Sequence, residues 1–384
     1  MNNIIPYGKQ NITTEDIDAV TRALSGDYLT QGPIIKQFED AFANYVNAKF
    51  AVAVANGTAA LHLCSIALNI CEKDNVITTP ITFAASANCI RYCNGNVFFA
   101  DIDPETFLLD IKSVEKLIES KPEGFFSGII PVDFAGRSID LESFRQLANK
   151  HGLWIIEDAC HAPGGFFIDS KGNSELCGSG AYAEMSIFSF HPVKHIACGE
   201  GGMITTNNEV LYKKLLLSRS HGITRDESLL EENHGGWYYE MNSLGYNYRL
   251  TDFQAALGLS QLKRADERLI KRKQIASVYN DFFNIQKFIN RHSGLVEGHA
   301  YHLYIIEVNN RKELYDYLRQ KNIFCQVHYI PVHTMPYYKK LGWKKGDFPH
   351  SENYYKGCLS LPMYPELTIL EQQYIMDSIK NFYN

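Results

Sequence analysis

Apolar residues in the first two-thirds of the chain fall into short runs: FAVAVA (50–55), NVITTP (75–80), NVFFADI (96–102), GIIPVD (128–133), LWIIEDA (153–159) and MSIFSF (185–190). Met203 to Thr206 reads as one more. Between the runs, segments 57–69, 111–120 and 140–151 carry apolar residues at helical spacing. Short apolar runs that alternate with amphipathic helices predict an α/β layer fold, in which most strands are parallel and buried on both faces. Chemically active groups then belong at the carboxyl ends of the strands.

The pattern changes near Arg249. RLTDFQAALGLSQLKRADERLIKRKQIASVYNDFF is amphipathic throughout and predicts one or two helices that bridge to a second unit. There HLYIIEV (302–308), the helical RKELYDYLRQKN (311–322) and IFCQVHYI (323–330) predict a strand, helix and strand of α+β type. The expected division is a large domain over 1–255, then a linking helix and a small C-terminal domain over 256–384.

Composition narrows the function. A chain of 384 residues, 45% hydrophobic and 21% charged, can build two cores. Its formal charge of -6, with no Lys/Arg cluster interleaved with aromatics, argues against nucleic acid as a partner. MNNIIPYGKQ has no basic segment leading into an apolar core, and no apolar stretch is long enough to span a bilayer, so a cytoplasmic protein without membrane contact is expected. Nine scattered cysteines, with no pair of CxxC elements, suit reduced thiols and predict no metal site.

Three features carry candidate chemistry. In FSFHPVKHIACGEGG, Lys194 sits between a proline-bearing turn and a glycine run, flanked by Phe188, Phe190 and Val193. A lysine belongs by default on the surface, but an amine on a packed, glycine-lined turn is a candidate nucleophile. In VANGTAALH, a strand ends at Ala55 and Asn56-Gly57-Thr58 opens a helix whose free N–H groups suit a phosphate, although alone this is also an ordinary capped helix start. In LWIIEDACHAPGG, Glu157 and Asp158 end an apolar strand, where one of the two carboxylates needs a cationic partner. Phosphate cup, strand-end aspartate and turn lysine, in that order, are what pyridoxal phosphate requires at its phosphate, ring nitrogen and aldehyde.

With IPYGKQ, DYLTQGP, NGTAALH, TTPITFAASAN, EDACHAPGG, LGYNYRLTDFQAALGLSQL and CQVHYIPVH added, nearly the whole chain resembles the DegT/StrS-type sugar-nucleotide aminotransferases of pyridoxal phosphate fold type I. The resemblance implies an aspartate aminotransferase-like fold, with a large domain around a mostly parallel sheet and a smaller C-terminal α+β domain. It implies that Lys194 holds the cofactor covalently, that Asp158 pairs with the ring nitrogen, and that Gly57, Thr58, Ala59 and Ser189 hold the phosphate. Phe83 would stack on one ring face and His161 would line the other. Asn247 would reach the phosphate in a neighbouring subunit, which implies a homodimer with shared active sites.

The resemblance also assigns nucleotide-sugar contacts to Tyr7, Asp27, Tyr28, Leu29, Thr30, Val327, His328, Tyr329 and Ile330. It points to the pseudaminic-acid branch: transfer of the amino group of L-glutamate to C4 of a UDP-linked 4-keto-6-deoxy-N-acetylhexosamine, through pyridoxamine phosphate. Asp133, where many family members have histidine, and Phe83, where some have tryptophan, agree with that branch but loosen the substrate assignment. A D-series or dTDP-linked keto sugar, and a non-catalytic cofactor-binding regulator, are the alternatives. A cofactor-using dehydratase lacking the covalent lysine is disfavoured by Lys194, and a nicotinamide enzyme by the lack of a GxGxxG after an early strand.

Overall fold

Seven strands, Phe50–Val54 (β1), Asn75–Thr78 (β2), Asn96–Phe99 (β3), Gly128–Ile130 (β4), Trp154–Asp158 (β5), Met185–Ser189 (β6) and Gly202–Thr206 (β7), form one sheet in the order β1-β7-β6-β5-β4-β2-β3. The computed structural model describes residues 4–384. Each predicted apolar run supplies a strand, but β2 and β4 stop before Pro80 and Pro131, whose missing N–H and fixed φ end the ladder. Successive residues face opposite layers. Val76, Ile130 and Ile156 join one core with helix Gly57–Ala67, while Ile77, Ile129 and Ile155 join another with helices Ile111–Glu119 and Leu141–His151. Burial on both faces is why these strands read as unbroken apolar runs.

All neighbours pair in parallel except β7, which is antiparallel to both β6 and β1. A parallel partner to β6 would need a long crossover, whereas residues 190–201 turn the chain straight back as a hairpin. Phe190 N–H bonds Gly201 O at 2.8 Å and Cys198 N–H bonds Phe190 O at 2.9 Å, closing that hairpin's neck. Lys194 rides on its tip.

The long amphipathic segment is two helices, Asp252–Leu262 and Ala265–Phe283. Beyond them, Ile289–His292 (β8), Tyr304–Val308 (β9) and Cys358–Leu361 (β10) make an antiparallel sheet in the order β8-β9-β10. Helices Arg311–Gln320 and Ile369–Tyr383 cover it around a core that includes Leu314, Leu318, Ile375 and Ile379. The strand expected over 323–330 is shorter: only Ile323–Phe324 is extended and paired, and its parallel partner is Ile5–Pro6 from the other end of the chain. Gln326 then bridges Ser360, and the residues that follow leave the sheet to wall the cavity described below. Among the described residues, no helix is long and apolar enough to cross a membrane.

Candidate active site

A cavity of about 950 Å³ opens at the carboxyl ends of β1, β5 and β6, where strand-end residues meet the C-terminal unit. Asn56, just past β1, is the N-cap of helix Gly57–Ala67, and its side-chain oxygen accepts from Ala59 N–H at 2.8 Å. Gly57 and Thr58 N–H groups are thereby left at the helix's positive end without an acceptor among the described residues, as an anion site requires. The floor is tight. A Cβ on Gly57 would come within 3.1 Å of Ser189 Cβ, and one on Gly202 within 2.6 Å of the Asn56 carbonyl carbon and oxygen. Glycine at 202 is therefore what lets β7 start directly beneath the Asn56–Gly57 turn.

Asp158 closes β5 with a buried carboxylate that accepts from Ser86 Oγ at 2.7 Å and from Cys160 N–H at 3.2 Å. Thr82 Oγ1 lies 2.7 Å from the same Ser86 hydroxyl, so the aspartate is held by a short hydroxyl chain. Lys194 faces the cavity from the hairpin tip. Burial pulls its amine below the ordinary lysine range, a shift that Cys160 and Asp158 oppose and Arg272 reinforces. A lysine so placed gives up its proton more readily than one on the surface.

His161 is fixed from two sides. Ala135 N–H donates to Nδ1 at 3.2 Å, which leaves the neutral ring's proton on Nε2, 3.2 Å from Tyr329 Oη. Burial drives its pKa far below that of free histidine, and Lys194, His328 and His195 add to the shift. His302 packs on it with ring centroids 4.3 Å apart. Phe83 lines the cavity 60% exposed, so it is free to cover a flat ligand instead of filling a core. From the C-terminal unit come His328, whose Nδ1 lies 2.9 Å from Ser360 Oγ, and Tyr329.

Most of the cofactor residues expected from sequence meet here: Gly57, Thr58, Ala59, Phe83, Asp158, His161, Ser189 and Lys194 all line the cavity, as do Tyr7, His328 and Tyr329. Other expected residues do not. Asp27, Tyr28, Leu29 and Thr30 are exposed outside its lining, and Val327 and Ile330 flank it without entering it. Asn247 is exposed on a bridge to Ser220 and does not line the cavity of its own chain, although its neighbour Tyr248 does. Sequence reasoning missed Ser86, His302 and Glu200, although Ser86 lies within the TTPITFAASAN segment and Glu200 within FSFHPVKHIACGEGG. A separate polar cleft of about 530 Å³ beside Arg291, Glu307 and His350 contains none of these residues.

The family profile of the DegT/DnrJ/EryC1/StrS aminotransferases matches residues 10–380. The chain belongs to that family. It is 37% identical to the spore coat polysaccharide biosynthesis protein SpsC of Bacillus subtilis, over 99% of this chain and 97% of that one. It is 36% identical to the UDP-4-amino-4,6-dideoxy-N-acetyl-beta-L-altrosamine transaminase of Campylobacter jejuni, over 98% and 96%. Among solved structures, Helicobacter pylori PseC, an aminotransferase involved in the biosynthesis of pseudoaminic acid, superposes with a TM-score of 0.89 at 31% identity over 99% of both chains. The sugar aminotransferase Spr1654 of Streptococcus pneumoniae does so in its PLP form with a TM-score of 0.88 at 28% identity, over 99% of this chain and 98% of that one; it is also known in a PMP form.

This protein is accordingly a sugar-nucleotide aminotransferase of fold type I that uses pyridoxal phosphate. Its residues suit that group. The helix-start N–H groups offer donors to a dianion, the buried Asp158 carboxylate can hold a protonated ring nitrogen, and the Lys194 amine faces the same space.

Proposed function

We propose that the chain moves the amino group of L-glutamate to C4 of a UDP-linked 4-keto-6-deoxy-N-acetylhexosamine of the L-altrose series, in pseudaminic acid synthesis. The observation that carries the transaminase part is the convergence of Lys194, Asp158 and the Gly57–Ala59 helix start on one cavity. The substrate part is supported by the altrosamine transaminase and PseC likenesses, together with Tyr7 and Tyr329, flat amphipathic rings that suit a sugar.

When bound, pyridoxal phosphate supplies an electron sink that acidifies the α C–H of the amino donor. Gly57, Thr58 and Ser189 would hold its phosphate, and Phe83 and His161 would line its ring. The Asp158 carboxylate, which accepts from the Ser86 hydroxyl at 2.7 Å, would hold the protonated ring nitrogen. Lys194 Nζ, its basicity lowered by burial, takes the α-proton from the donor and delivers a proton to the sugar's C4 in the reverse half. The α-carboxylate of glutamate and the sugar's N-acetyl group give the site groups to recognise that a bare keto sugar lacks.

The working unit is a homodimer in which Asn247, exposed and outside its own cavity, reaches the phosphate in the neighbouring subunit. It works in the cytoplasm, where nine free cysteines stay reduced; recovery of the protein from a non-cytoplasmic fraction would contradict this. The substrate test is a side-by-side assay with glutamate of the L-series UDP-ketosugar, its D-series epimer and dTDP-4-keto-6-deoxyglucose, with products identified by NMR. A site that hydrogen-bonds a substrate hydroxyl rejects epimers that leave its polar groups unpaired. More efficient turnover of either alternative sinks the substrate assignment and leaves the transaminase intact.

A further inference from the structure

Behind the cavity, Asp133 and Glu157 lie side by side at 0% and 1% exposure. An oxygen of each carboxyl and Cys177 Sγ all fall within 4.8 Å of one another. Most polar atoms of the pair are already partnered: Asp133 Oδ1 accepts from Ile139 N–H at 2.9 Å, and Glu157 Oε2 accepts from Gly178 N–H at 2.9 Å and from the Ser186 hydroxyl. Two remain. Asp133 Oδ2 and Glu157 Oε1 are buried and have no partner. Among the described residues no lysine, arginine or histidine side chain hydrogen-bonds either carboxyl. Asp158 is the next charge along the strand, Cys160 follows it, and Cys177 donates to Ser138 Oγ at 3.2 Å. Two adjacent buried anions without a counter-charge would be prohibitively costly, whereas one proton between Oδ2 and Oε1 satisfies both orphan atoms.

Asp133 also begins the Phe134–Gly136 turn, where Ala135 takes a left-handed φ of 61°. Ala135 N–H is the donor that fixes His161 Nδ1, and Phe134 packs near both His161 and Tyr329. We propose that Asp133 and Glu157 share one proton and that this closed pair is a positioning device: it locks the 133–139 loop and, through Ala135, sets the tautomer of His161. The catalytic consequence rests on the reading above that His161 faces the cofactor; the shared proton does not. Burial, then the neighbouring Glu157, raises the Asp133 carboxyl well above its ordinary value, and burial raises Glu157 as well.

The pair makes a signed prediction. The folded chain retains a proton that the unfolded chain loses from near pH 3.8, so the pair's own contribution to stability falls as pH rises through the folded value. Asp133→Asn keeps an acceptor for Ile139 N–H and a permanent donor to Glu157, so it removes the titration without opening the loop.

Infrared difference spectra of the cofactor-loaded protein at neutral pH should show a buried carboxylic acid C=O band that Asp133→Asn abolishes. Because the buried histidines push the stability of both proteins up with rising pH, the shared proton shows in the difference: the variant's unfolding free energy relative to the wild type should rise as pH rises from about 3.8. Asp133→Ala should lower kcat by about 10- to 100-fold, the cost of a misplaced group near the chemistry, while Asp133→Asn restores most of it. Absence of the acid band, identical pH dependence in wild type and Asp133→Asn, or a stoichiometric metal ion bound at the pair would each overturn the proposal. If no nucleotide sugar is turned over, the infrared and stability arms still decide the proton, so failure of the functional reading stays distinguishable.

Discussion

Tyr329 Oη lies 3.2 Å from His161 Nε2, so a residue of the C-terminal unit completes the hydrogen bonding of a residue on the large sheet. The contact ties cavity closure to the neutral His161 tautomer. Tyr329→Phe removes one neutral hydrogen bond and should lower kcat by about 3- to 10-fold, in line with the net value of such a bond. The variant should keep its cofactor. Steady-state kinetics beside a cofactor absorbance spectrum check this, and an unchanged kcat would make the contact incidental.

Lys194→Ala should abolish turnover while cofactor still binds through the helix start and Asp158. Borohydride treatment of the wild type should leave the cofactor attached at Lys194 in a peptide map, and attachment at any other lysine would falsify the assignment. The dimer reading adds a second arm. Mixed heterodimers of Lys194→Ala and Asn247→Ala should recover some activity, because one of their two sites carries both native residues; no recovery in verified heterodimers removes Asn247 from the partner's site.

The Asp158 carboxylate and its Ser86 donor should separate by magnitude. Asp158→Asn removes the charge and should reduce kcat at least ~100-fold, the scale of a positioned charge-stabilising or proton-transfer group. Ser86→Ala leaves the charge and costs one bond of several, so its loss should be clearly smaller. Equal losses would mean that the hydroxyl chain, not the carboxylate, sets the rate.

Gly202→Ala should destabilise the protein by about 1–3 kcal/mol, the range for forcing an extra methyl into a packed site. The displaced backbone is that of Asn56 and Gly57, so cofactor retention should weaken in parallel. Gly236→Ala is the control, since a Cβ there meets nothing within 4 Å. Denaturation midpoints and cofactor titrations of the two variants test the difference.

Acid should unfold the protein through its histidines. His161, His195, His299 and His302 are buried, and burial depresses each pKa, that of His299 to about 3. The sign follows from proton counting: below the free value of 6.5 the unfolded chain takes up protons that the folded chain refuses, so stability falls as pH falls. Each such histidine contributes a slope of up to about 1.4 kcal/mol per pH unit. Urea unfolding of the cofactor-loaded Asp133→Asn variant, free of the opposing carboxyl pair, between pH 7.5 and 5 measures it, and a flat profile would show that these rings protonate without cost.

The sequence alone determined the strands of the large sheet and pointed to three candidate cofactor anchors, whose residues line one cavity. An apolar run buried on both faces announces itself whatever lies beside it, and Asn56-Gly57-Thr58, Asp158 and Lys194 are local features whose chemistry is written into their neighbours. Tertiary structure decided what depends on distant partners. The short reach of the last expected strand, Ile323–Phe324, follows from its pairing with Ile5–Pro6, more than 300 residues away in sequence. Ser86 matters because it reaches Asp158, and Tyr329 because the C-terminal unit brings it to His161. Asp133 was legible only as an acid at the end of the apolar run GIIPVD; its meaning lies in the carboxyl of Glu157 beside it, because a buried acid's proton is set by what it faces across the fold and not by what precedes it in the chain.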